Sequence, residues 1–139
     1  MKMFLGMMVL FSTAANACPN LNGNFTCQKG STVFNLAIEG TSRSYIINRD
    51  GNEFEYMLDG KSHDVPSTDS YQDAKVVSTC EDDKLVVGFE ANILYEGSVI
   101  AHQVSKSYYY NEGNNIVLLQ KVKMKGIPLP TNKFSCVRN

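Results

Sequence analysis

The chain carries four cysteines, Cys18, Cys27, Cys80 and Cys136, and two histidines, His63 and His102. These are the side chains that ligate metals or act as nucleophiles. No two cysteines have the Cys-x-x-Cys spacing, so neither a zinc ribbon nor a thioredoxin-type redox pair is indicated. His63-Asp64 beside a turn, with Asp69 and Asp73 in the stretch that follows, is the one grouping of metal-ligand types. A solvated polar rim is the expected role for residues of this kind, and no metal is expected. His102 falls in a long strand and is expected in its wall. Carboxylates cluster at Glu53/Glu55 and at Glu81-Asp82-Asp83. Acid–base chemistry would require one of them buried with a raised pKa. The first pair shares a strand face with charged neighbours, and the second group is a turn. Nucleophile-elbow, phosphate-loop and His-Glu-x-x-His motifs are all missing from the sequence. A non-catalytic protein without a cofactor is expected.

The fate of the cysteines depends on the compartment, and the first residues bear on that. Lys2 is followed by an apolar run over 3–11 and by Ala15-Asn16-Ala17. A positive start, a short apolar core and a small-x-small site form a secretory signal, too short to be a membrane helix. Residues 1–17 are therefore expected to be a signal peptide, cleaved after Ala17. No other run is long enough to span a bilayer. A lipid anchor on Cys18 is the rival, but Ala15 stands where a bulky aliphatic residue is normal. An exported chain, periplasmic or secreted, keeps its cysteines in disulfides. Four cysteines allow three pairings. One joins Cys18 to Cys27 and Cys80 to Cys136, the latter closing a long loop and contributing roughly 4 kcal/mol. Cys27 with Cys136 also fits, because a closed barrel sets its first and last strands side by side.

The chain has 139 residues, 13 Lys plus Arg against 14 Asp plus Glu, and a net charge of −1. That length accommodates a single domain, assigned to 18–139. A near-neutral balance without a basic stripe argues against a nucleic-acid partner. A hydrophobic share of 43% excludes a disordered chain.

Apolar residues recur with a period of two between closely spaced turn signals, the mark of half-buried strands. Strands are expected at 23–28, 32–39, 44–48, 53–58, 61–65, 74–80, 84–91, 98–110, 116–125 and 133–138. Turns are expected at 49–52 and at Asp59-Gly60, where Asp-Gly suits a two-residue hairpin. The polar stretch 67–73 is expected as a loop or one helical turn, and the two prolines near 126–130 interrupt pairing. Hairpin-linked strands with one apolar face each predict an all-β antiparallel up-and-down meander. About eight to ten strands of this kind close into a barrel, which removes exposed edges. A two-sheet sandwich is the alternative. Alternation puts Phe34, Leu36, Phe54, Tyr56, Phe89, Leu118, Gln120 and Val122 inside. Tyr108-Tyr109-Tyr110 must place aromatics on both faces, with Tyr109 beside Gln103, Ser105 and Ser107. Aromatic walls with a few polar groups make a small-molecule pocket, so Phe54, Tyr56, Phe89, Tyr109 and Gln120 are the candidate ligand contacts.

Gly23-Asn24-Phe25 resembles the lipocalin G-x-W motif, with Phe in place of Trp. Arg138, two residues after Cys136, matches the basic residue that lipocalins pack over that aromatic. The segment Asp59-Gly60-Lys61 also resembles a hairpin of small bacterial lipocalin-like barrels of the calycin type. The resemblance implies an exported eight-stranded barrel, monomeric, holding a small apolar or amphipathic molecule in its cup. A second resemblance starts at Phe25-Thr26-Cys27, followed by a turn and a Val/Phe/Leu strand. It is similar to the opening of C-type lysozyme-inhibitor barrels. That implies the alternative of a protein partner, with the barrel inhibiting a hydrolytic enzyme.

Overall fold

A computed structural model describes residues 18–139. The expected signal peptide and its cleavage point lie outside the described residues. The fold is an all-β antiparallel meander of eleven strands: β1 (Gly23–Lys29), β2 (Thr32–Gly40), β3 (Ser44–Arg49), β4 (Asn52–Met57), β5 (His63–Val65), β6 (Tyr71–Glu81), β7 (Lys84–Tyr95), β8 (Ser98–Glu112), β9 (Asn115–Met124), β10 (Ile127–Pro128) and β11 (Asn132–Arg138). Each expected strand is present with adjusted ends. The surplus over the expected count is β10, two residues beside β9. Pro128 has no N–H to give there, and the Leu129 N–H bonds the Val122 carbonyl at 2.8 Å. The polar stretch expected as a loop is partly strand. Tyr71 and Gln72 already pair with β7, and the ladder shifts register between Gln72 and Lys75, with Asp73 at φ 54°.

One sheet runs β4-β3-β2-β1-β11-β9-β8-β7-β6-β5. It curls strongly into a half-barrel. The first and last strands pair, Cys27 opposite Cys136, so the break in the ring falls between β4 and β5. Among the described residues no ladder joins these two. The expected hairpin at Asp59-Gly60 is therefore not formed, although Asp50-Gly51, at φ 51° and 92°, does close the β3–β4 hairpin. The difference lies in side-chain competition. The Asp59 carboxylate accepts the Lys61 N–H at 2.9 Å and meets His63 Nε2 at 2.8 Å. Such a local Asx turn offers the backbone an alternative to the ladder. The Gly60 N–H crosses to the Ser78 carbonyl at 3.2 Å.

The core fills the concave side. Leu21, Phe25, Leu85, Ile116 and Leu118 are fully buried, and Phe34 meets Phe134 edge-on at 5.1 Å. Phe25 lies at one end of this core with Arg138 over its ring at 4.8 Å. Arg138 also donates to the carbonyls of Asn22 at 2.8 Å and Asn114 at 3.0 Å. Gly23 lies beneath it at φ 149°, a backbone conformation that strains other residues, and a Cβ there would also push on Arg138 Nη1 at 2.2 Å. The Phe25–Arg138 contact expected from the motif is present.

Two disulfides complete the fold. Cys27–Cys136 staples β1 to β11, and Cys18–Cys80 ties the segment before β1 to β6. The Cys18–Cys27 pairing is not made, because Cys27 sits directly opposite Cys136 in the ladder. A Cys18 sulfur held in this disulfide is not available for a thioether-linked lipid. The Cys27–Cys136 bridge spans 109 residues. In the chain-entropy description a loop of that size contributes about 4–5 kcal/mol. The double variant Cys27→Ala, Cys136→Ala is expected to lose roughly that much in urea unfolding. Peptide mapping without reductant should recover Cys18 linked to Cys80 and Cys27 linked to Cys136.

Candidate functional site

The half-barrel leaves a cup on its concave side, of about 440 Å³. Its walls follow from strand alternation and register. Val76, Phe89 and Ser105 stand abreast on β6, β7 and β8, and Val87, Ser107 and Gln120 on β7, β8 and β9. From the other side β2, β3 and β4 present Leu36, Ile47, Phe54 and Tyr56. The aromatic pairs are edge-on, Phe54 to Tyr56 at 4.7 Å and Tyr71 to Phe89 at 5.5 Å. Such pairs hold ring orientation beyond simple burial.

Phe54, Tyr56, Phe89, Tyr109 and Gln120, singled out from the sequence, all line this one cavity. Phe34, Leu36 and Leu118 are buried in the core, as alternation implies. Val122, half-buried opposite Ser105, keeps the inward alternation of Leu118 and Gln120 but does not line the cup. Arg49, Tyr71, Ser105 and Ser107 also line the cup. Ser105 and Ser107 share the face of Tyr109, so the sequence held that signal. Tyr71 was hidden in a polar stretch. Arg49 reads as part of the Arg49-Asp50-Gly51-Asn52 turn, yet it is the last residue of β3, in alternation with Tyr45 and Ile47, and its exposed side chain borders the cup.

The polar groups of the cup, among them Arg49, Asn52, Glu53, Ser105, Ser107, Gln120 and the tyrosine hydroxyls, make few bonds to one another. Gln120 Nε2 is 3.4 Å from Ser107 Oγ, a weak contact. The Arg49 guanidinium lies over the Phe34 ring at 3.8 Å. Burial pushes the Tyr109 phenol far above its ordinary value, with the Tyr56 phenol adding to the rise and the Arg49 charge opposing it. Burial raises Tyr56 as well, again opposed by Arg49. Both hydroxyls remain neutral donors at ordinary pH.

The remaining candidates lie elsewhere. Tyr108 and Tyr110 take the outer face, under Lys121 at 5.6 Å and Lys84 at 5.0 Å. His102 is exposed, with Asn92 Oδ1 at 2.9 Å and Glu90 Oε2 at 3.2 Å. Asp64 pairs with Lys75 at 2.7 Å, which lowers the Asp64 carboxyl below its usual range. Glu55 accepts the buried Ser44 hydroxyl at 2.7 Å. Among the described residues no cluster of three or more His, Cys, Asp or Glu could hold a metal ion. No helix among them is long and apolar enough to cross a membrane.

The outer concavity measures about 530 Å³. It is floored by Val77, Gly88 and Val104, overhung by Pro128 and Leu129, and edged by Lys75, Lys106, Lys121 and Lys123. One sheet face and one strap form it, whereas strands on both sides of the half-barrel surround the cup. No protein-family model matches the chain, and a search of curated proteins finds no similar sequence.

The buried phenols set an alkaline limit. Tyr45, whose hydroxyl donates to the Pro19 carbonyl, is pushed up to about 12, chiefly by burial. A phenol with a raised folded-state pKa stabilises fully below the unfolded value of 10.0. That contribution is lost as pH rises from there toward the folded value. The melting temperature should therefore hold between neutrality and pH 10, then fall. Tyrosinate absorbance should show part of the seven tyrosines ionising only as the protein unfolds. Full reversible ionisation near pH 10 in the folded protein would contradict the burial of these rings.

Proposed function

We propose that the protein is an exported, lipocalin-like binding barrel that carries a small apolar or amphipathic molecule in its cup, without catalysis. The observation that carries this reading is the cavity itself. At about 440 Å³ it lies within the usual range for small-molecule sites. Aromatic and aliphatic walls supply the non-directional part of binding. Asn52, Ser105, Ser107, Gln120 and the tyrosine hydroxyls supply the directional contacts. The stack of Arg138 on Phe25 supports the lipocalin likeness. The two disulfides fit an oxidising compartment, periplasmic or extracellular. The protein acts as a monomer in this reading and needs no cofactor.

The outer groove favours a second reading, in which the barrel docks on a protein such as a hydrolytic enzyme. Exposed Val99, Ile100, Val104, Ile127 and Leu129 stand near its strap and along β8.

The test is binding of anilinonaphthalene, a neutral probe that fluoresces in apolar surroundings. The wild-type protein is expected to bind it. Ser107→Phe, which places a ring inside the cup, should weaken binding by about tenfold or more while the melting transition stays cooperative. Binding that is absent, or unchanged by Ser107→Phe, would defeat the proposal.

A further inference from the structure

Among the described residues that line the cup, Arg49 is the only Lys or Arg. It keeps its charge at every accessible pH. No carboxylate lies within salt-bridge distance of it among the described residues, where the ion pairs are Asp59–His63, Asp64–Lys75 and Glu90–His102. The guanidinium carbon lies 3.8 Å from the centre of the Phe34 ring. The N–H edge is the part that forms paired bonds to a planar anion, and among the described residues no hydrogen bond to the protein takes it up. Glu53, the carboxylate that also borders the cup, belongs to the opposite parity of β4 from Phe54. The Tyr56 and Tyr109 hydroxyls both feel the Arg49 charge. As neutral phenols they add donors of the same electrostatic sign.

We infer that the cup selects a small organic anion, its apolar body against Phe54, Tyr56, Phe89 and Tyr109 and its carboxylate- or sulfonate-type head on the Arg49 edge. This rests on the cup being a ligand site. An organic cation would meet a positive charge at the same place. A wholly apolar ligand would leave the guanidinium to water and gain nothing from it. Discrimination thus comes from both the attractive and the repulsive side.

Two probes with one ring skeleton separate the charge from the apolar body: anilinonaphthalenesulfonate and anilinonaphthalene without its sulfonate. The wild-type protein is expected to bind the sulfonate more tightly, and added salt should narrow the gap. Arg49→Gln should weaken the sulfonate about tenfold and leave the neutral probe nearly unchanged. Arg49→Lys should recover part of the loss, as a point charge without the fork. Equal weakening of both probes would mean that Arg49 only packs on Phe34, and overturns the inference. So would no effect on either. Sulfonate binding that survives Ser107→Phe would assign the anion to the outer lysines and overturn it too. If neither probe binds the wild-type protein, the cup reading itself fails.

Discussion

The whole arrangement depends on the pairing of the first strand with the last. β1 and β11 exchange backbone bonds from Phe25 opposite Arg138 to Gln28 opposite Ser135, and the Cys27–Cys136 bridge locks them in register. A meander whose ends are joined is a ring, and any gap must open elsewhere. Here it opens between β4 and β5, where Asp59 holds its own turn. Contacts this distant in sequence carry a large loop-closure cost. A disulfide across them removes much of that cost from the unfolded side.

The two ends of the half-barrel differ in consequence. At one end Phe25 is fully buried and Arg138 lies on it, held by two backbone carbonyls. That arginine is tied to the backbone through Nε and Nη1 and serves as a cap. The other arginine, Arg49 over Phe34, borders the cup among half-buried aromatics. Two arginines lie over two phenylalanines, and among the described residues only Arg138 donates side-chain N–H groups to the protein. This contrast separates packing from recognition more clearly than the cavity volume does.

The strands were legible because each buries a single face, which writes a period of two into the sequence. The core residues Phe34, Leu36 and Leu118 and the cup residues Phe54, Tyr56, Phe89, Tyr109 and Gln120 follow from that alternation alone. Three features were not legible, each for a local reason. Asp59-Gly60 has hairpin chemistry, but Asp59 spends its carboxylate on Lys61 and His63. Tyr71 sits before a bulge, among polar residues that hide the strand. Arg49 has the composition of a turn, and only the register of β3 against β4 sets it at the border of the cup. The Cys18–Cys80 pairing was beyond reach, since it depends on how the segment before β1 crosses to β6.

The half-barrel with paired termini and a gap at β4 and β5 is tested most directly by amide hydrogen exchange in the native protein. Amides in the β1–β11 ladder should exchange slowest, at the rate of global unfolding. The amides of β4 and β5 that face away from their single neighbours should exchange quickly. Equal protection at β4 and β5 would mean a fully closed ring in solution, and rapid exchange along β1 and β11 would contradict the account at its root.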